Sequence, residues 1–420
     1  MAEPTSLIAL AVAIVAYALV SRWLEHRSVT MPMVFLTLGW LGYALGIVEL
    51  DAGVEGVALL AEFTLAILLF SDATRINLKV LRRDVALPLR LLGIGLPLTV
   101  ALGTLAISVL LPDLSIWEAA LLAAILAPTD AALGQAVVED PAVPIRIRQG
   151  LNVESGLNDG LVVPLVTLFV ALSLSENNEA GFWATFVVRQ VGLGVALGVA
   201  IGGLGGWLML HADRRELMNP IAAQLATLGL AVLALASALS LGSNGFIAAF
   251  VAGLTFGSLF DAEEAAHRGE FSEDASRLLT MVAFAVFGNI FVAEALADIT
   301  VPVALCAVAA LTILRMVPVA IALASMRPAP QTILFVGWFG PRGLASILFG
   351  LQLLEHELMA AEQLFNVITW TVIGSVFLHG ISAGPGASRY GAWFERANGQ
   401  SVDPMPEAED VQGSRTRSLM

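Results

Sequence analysis

Apolar runs of about twenty residues, divided by short polar stretches, recur along the chain, and a run of that length matches the hydrocarbon thickness of a bilayer. The pattern predicts thirteen helical spans, at about 5–23, 31–48, 54–71, 86–111, 116–138, 149–174, 182–210, 219–240, 244–260, 276–295, 301–325, 331–354 and 361–383. Lys and Arg sort with this division. Alternate loops carry Arg22 and Arg27; Arg75, Lys79, Arg82 and Arg83; Arg146 and Arg148; Arg214 and Arg215; Arg268 and Arg277; and Arg327, and the tail adds Arg389, Arg396, Arg415 and Arg417. The opposite loops carry neither residue, only acids such as Glu49, Asp51, Asp113, Glu176, Asp298 and Glu357. The positive-inside rule then places the N-terminus outside and the C-terminus in the cytoplasm. Four basic residues are left over: Arg90 and Arg189 near span ends, and Arg315 and Arg342 inside spans. The last two need partners, because an unpaired buried charge is costly.

An odd count permits two six-span halves of opposite orientation, at about 5–174 and 219–383, joined by span 7 at 182–210. That is the inverted repeat of many secondary transporters. The fifth span of each half is interrupted alike, by Pro128 before Thr129 and Asp130 in span 5 and by Gly340-Pro341-Arg342-Gly343 in span 12. Proline removes a backbone donor and clashes with the preceding turn, so both helices are expected to break there. Matching breaks in the two halves point to a midplane binding site. In span 7, Gly194, Gly198, Gly202 and Gly206 recur every four residues, a stripe that lets helices approach closely. Residues 1–384 therefore read as one transmembrane unit, and the polar stretch 385–420 as a disordered cytoplasmic tail.

Composition agrees with an all-α polytopic membrane protein: 58% of residues are hydrophobic and 13% charged, against about 25% charged in a soluble domain. The formal charge of −14 argues against nucleic-acid binding. A single cysteine, Cys306, rules out a disulfide framework, and the five scattered histidines suggest neither a metal site nor a cofactor. There is no paired-His metal motif, and Ser155 has no histidine near it in sequence, which disfavours an enzyme. A sensing or scaffolding protein is disfavoured because no output domain follows the last span.

The chemistry gathers between residues 127 and 159. In span 6, Glu154 with Asn158 and Ser155 with Asp159 are four apart, and Ser155 with Asn158 three apart, so they share a helix face. That face presents two carboxylates, a hydroxyl and an amide, hard oxygen ligands suited to alkali cations or protons. Asp130 and the Thr129 hydroxyl stand beside the break in span 5. Charged groups in mid-membrane mark a functional site by default. Desolvation favours the protonated form of a carboxylate, so one carboxylate can hold either a proton or a cation. Such competition, in a protein that reorients when occupied by either ion but not when empty, is enough for exchange. Glu62 and Arg315 are expected to form a structural ion pair. Arg342 either neutralises exposed carbonyl ends or pairs with Glu154.

At these residues the chain resembles the NhaP-type sodium/proton antiporters, bacterial relatives of the sodium/proton exchangers. The specific matches are Ala127-Pro128-Thr129-Asp130, Glu154-Ser155-Gly156-Leu157-Asn158-Asp159-Gly160 and Gly340-Pro341-Arg342-Gly343. Softer ones are Glu62 with Leu69-Phe70-Ser71, and the segment 245–254. The resemblance implies a homodimer in the cytoplasmic membrane of a bacterium or archaeon, with spans 5 and 12 crossing at their breaks. It implies that Asp159 carries the cation or proton, with Na⁺ held by Asp159, Ser155 and Thr129. Asp130 would shape the crossing, and Glu154 would be a ligand or the partner of Arg342. The Asn158-Asp159 pair looks like the electroneutral branch, exchanging one proton per Na⁺ or Li⁺; K⁺ is the alternative cation. Ala131 departs from the proline of many relatives.

Overall fold

The structure, a computed structural model, describes residues 4–25, 27–48, 50, 54–76, 86–174, 180–297, 299–355, 360–400, 405 and 407. Lys79, Arg82, Arg83, Glu49, Asp51, Glu176, Asp298, Glu357, Arg415 and Arg417 of the charge pattern lie outside the described residues. The described residues are helical, with no strand among them. Among the described residues, eight helices are long and apolar enough to cross a membrane, and shorter apolar helices at Met31–Ala44, Ile116–Ile125, Gly245–Ser258 and Leu344–Leu353 stand among them.

Local chemistry sets the helix ends. Span 5 starts on a capping box in which Ser115 Oγ accepts from Glu118 N and Glu118 Oε2 accepts from Ser115 N. Asn219 and Asn244 cap the helices Pro220–Ser240 and Gly245–Ser258, each accepting from backbone amides of the first turn. The two expected breaks are present. Span 5 is divided into Ile116–Ile125 and Ala131–Val138, and span 12 into Pro330–Trp338 and Leu344–Glu355.

The fourth spans of the two halves are also irregular, which the hydrophobic pattern does not show. Span 4 carries a π-helical turn at Leu91–Gly95. Span 11 divides into Val301–Leu311 and Ile313–Leu323 at Thr312, whose φ of −123° and ψ of −94° are not helical. Arg315 therefore sits in the first turn of a new helix.

The glycine stripe of span 7 works as a packing surface. A Cβ on Gly198 would come within 2.7 Å of Ala248 O, and one on Gly202 would strike the backbone of Ala252, so the stripe seats the helix Gly245–Ser258 against span 7. The composition of residues 385–400 misleads, and residues 401–404, 406 and 408–420 of the expected tail lie outside the described residues. The helix of span 13 runs from Ala361 to Gln400, straight through Pro385. Ala387, Tyr390 and Phe394 are buried, and Tyr390 stacks on Phe335 at 4.1 Å between ring centroids. Glu407 accepts from Ala329 N at 3.0 Å and from Thr332 Oγ1 at 2.8 Å. Burial of these rings offsets the ordering cost that a merely polar segment could not meet.

Candidate functional site

The two breaks meet. Asp130 N donates to Pro341 O at 2.8 Å, and Ser346 Oγ donates to Ile125 O at 2.8 Å. Four helix ends converge here, and two charged side chains compensate them. Asp130 accepts from Leu133 N at 3.3 Å in its own half-helix and from Leu344 N at 2.8 Å in the second half of span 12. One carboxylate thus answers the positive ends of two half-helices. Arg342, fully buried, donates to the carbonyls of Ala127 and Pro128, at the negative end of Ile116–Ile125. Its own backbone N–H donates to Ser375 Oγ at 2.6 Å.

This geometry corrects two expected pairings. Glu154 pairs with Arg315, not with Arg342: the guanidinium holds both carboxylate oxygens, at 2.5 and 2.8 Å, with both residues buried. Arg342 takes the carbonyl ends instead, the other role open to it. The expected Glu62–Arg315 pair is replaced, since both terminal nitrogens of Arg315 go to Glu154. The helix break at Thr312 sets where Arg315 begins its helix, which periodicity along an unbroken span does not reveal.

Thr129, Ser155 and Asn158 form a chain of hydrogen bonds. Asn158 Nδ2 donates to Thr129 Oγ1 at 2.7 Å, and the Thr129 and Ser155 hydroxyls share a hydrogen bond at 2.8 Å. Asp159 is only 5% exposed, and its Oδ1 is buried with no hydrogen-bond partner among the described residues. It lines a cavity of about 150 Å³ together with Asp130, Asp72 and Ser71. The cavity continues past Asn152 and Gln135 to Arg75, Glu273 and Arg277, at the face predicted to be cytoplasmic. Glu273 bridges Arg75 at 3.0 Å and Arg277 at 2.8 Å there; such partly exposed pairs contribute little stability. Of the expected cation ligands, the cavity joins Asp159 and Asp130, while Thr129, Ser155 and the ion-paired Glu154 do not line it.

The sequence reading missed Asp72. It directly follows Leu69-Phe70-Ser71, and its signal is an acid at the end of an apolar span. Gly343 is also part of the site. A Cβ there would strike Asp130 Oδ2. Gly343→Ala is expected to push Asp130 off Leu344 N and lower stability by about 1–3 kcal/mol, the usual cost of overpacking. A thermal melt in detergent reads this, and an unchanged midpoint would contradict it.

The sodium/hydrogen exchanger transmembrane family matches residues 10–388. The chain belongs to that family. Members similar to it include a K(+)/H(+) antiporter, NhaP2, of Shewanella baltica, 25% identical over 328 residues, which are 77% of this chain and 56% of the relative. A Na(+)/H(+) antiporter of Schizosaccharomyces pombe is 26% identical over 310 residues, 65% of each chain. The chain thus spans just over half the length of the NhaP2 relative. Its fold is shared with the sodium proton antiporter MjNhaP1 of Methanocaldococcus jannaschii, solved at pH 8, with a TM-score of 0.76, 22% identity, and 92% of this chain and 99% of that one covered. The family and the fold are those of a multi-pass membrane transporter.

Proposed function

We propose that the chain exchanges one Na⁺ or Li⁺ for one H⁺ across the cytoplasmic membrane by alternating access, with Asp159 carrying either ion. The observation that carries this reading is the buried, unpartnered Asp159 Oδ1 on a cavity that reaches one face of the molecule. An ionised carboxylate oxygen left dry and unpaired is costly, and either a cation or a proton relieves the cost. The carboxylic acid releases H⁺ as the carboxylate takes Na⁺, so site charge is the same with either ion. Asn158 adds no charge beside it, which supports electroneutral exchange. Asp72 and Asp130 raise the local concentration of cations, and Asp130 also holds the crossing. Thr129 and Ser155 have lone pairs that can turn to a cation entering beside Asp159. By the charge pattern, the cavity faces the cytoplasm and the N-terminus lies outside. The functional unit is a homodimer, as the resemblance implies.

The second reading is K⁺/H⁺ exchange, favoured by the names of the NhaP2 relatives. Recovery of a preset pH gradient in everted vesicles, with Na⁺, Li⁺ and K⁺ in parallel, separates the two. Recovery with Na⁺ or Li⁺ supports the first reading, and recovery with K⁺ alone replaces the substrate. No recovery with any ion would overturn antiport. Electroneutrality has its own test. Wild-type exchange should ignore an imposed membrane potential, whereas Asn158→Asp, which adds a carboxylate beside Asp159, should make it potential-dependent. A potential-dependent equilibrium in the wild type would refute one-for-one exchange.

A further inference from the structure

The first half of span 12 and the extension of span 13 flank an open groove of about 570 Å³ that the antiport reading does not use. Phe335, Trp338 and Phe339 line it from span 12, and Tyr390 and Trp393 from span 13. Gln331 and Arg389, both exposed, belong to the same groove. From Gln331 to Phe339 the helix rises about 12 Å at 1.5 Å per residue. The groove therefore runs from Gln331 and Trp393 at one end to Phe339 and Ile381 at the other, and Arg389 is the one charged residue that lines it. Leu334 and Ile381 on its rim are 57% and 61% exposed, so its open side faces the bilayer.

We propose that this groove binds an anionic phospholipid, with an acyl chain on Phe335, Trp338 and Phe339 and the phosphate on Arg389. The occupant must be amphipathic, because the groove is aromatic along its length and carries one exposed cation, Arg389, in the half towards Gln331 and Trp393. Aromatic rings of this kind favour the headgroup level of a bilayer. Trp338 Nε1 is already committed to Ser382 Oγ at 2.9 Å, so the indole offers an apolar face and not a donor. The carboxylate of Glu407 does not oppose an incoming phosphate freely, since it is 3% exposed and turned to Ala329 N and Thr332 Oγ1. Among the residues that line the groove Arg389 carries the exposed charge, and the cytoplasmic leaflet that this face meets is the anionic one. The placement rests on the membrane orientation read from the loops. A lipid seated here packs on the half-helix that leads into the break, so its loss would loosen span 12.

The test uses the full chain, purified and delipidated, with phosphatidylglycerol and phosphatidylcholine offered in equal amounts and retained lipid counted by native mass spectrometry. Phosphatidylglycerol should be retained preferentially. Arg389→Gln should lower that retention about fivefold, the effect of one basic residue near an anionic surface. Ile381→Trp, which fills the rim, should lower retention of both lipids. Equal retention of both lipids in all three proteins overturns the proposal. So does a loss of dimer in Ile381→Trp with lipid retention intact, which would make the groove a contact between copies. Binding is read without transport, so failure of exchange at Asp159 would leave this result standing.

Discussion

In proteoliposomes, Asp159→Asn is expected to reduce cation-driven proton movement to the leak of protein-free vesicles. The variant keeps the size and shape of the side chain and removes the only group in the proposed mechanism that holds either ion. It should not unfold the protein. Asp159 Oδ1 accepts no hydrogen bond among the described residues, so the carboxamide breaks none at that atom and no longer asks the interior to hold a charge. A melting midpoint equal to or above the wild-type value, together with lost exchange, separates function from folding. Retained exchange in a folded variant would move the carrier to Asp72 or Asp130, the other acids on the deep part of the cavity.

The second large effect is on stability. Glu154→Gln leaves Arg315 buried beside a neutral group, and removing one partner of a buried pair costs about 3–5 kcal/mol. Arg315→Gln does the same to Glu154. The double variant should recover part of the loss, because it leaves neither charge behind, and a coupling energy of about 0.5–3 kcal/mol is expected. The same cycle between Glu154 and Arg342 should show weaker coupling, since Arg342 spends its bonds on Ala127 and Pro128. Thermal melts of the six proteins in one detergent decide this. Equal coupling in both cycles would contradict the pairing seen in the structure.

Much of the fold was legible because a bilayer demands it. Span number follows from apolar length and loop charge, and both proline breaks announce themselves at Pro128 and Pro341. Helical spacing sets Glu154 beside Asn158 and Ser155 beside Asp159, but Glu154 and Asp159, five residues apart, turn to Arg315 and to the cavity respectively. What joins separate helices was not legible. Arg315 and Arg342 both read as mid-span cations, and choosing between them for Glu154 requires the rotation and depth of three helices. The departure from helix at Thr312 helps set that depth, yet no proline or glycine marks the residue. The cavity was hidden for the same reason: Asp72, Asp159 and Glu273 come from three different spans. The helical continuation over residues 385–400 was hidden differently. Tyr390, Trp393 and Phe394 stand three and four residues apart, a helical stripe that was present in the sequence and masked by the polar residues around it. The resemblance gives Asp130 two roles, ligand and shaper of the crossing; its bonds to Leu133 N and Leu344 N support the second without removing it from the cavity wall.

In the proposed exchange a cation and a proton compete for the Asp159 carboxylate. The most direct measurement is proton release on adding Na⁺, Li⁺ or K⁺ to the purified protein in weak buffer, followed with a pH indicator, with bound cation measured in parallel. One proton should be released for each cation bound, with less release as the starting pH rises and the site is already empty of protons, and none in Asp159→Asn. Cation binding with no proton release across the same pH range, or the same release from Asp159→Asn, would contradict it.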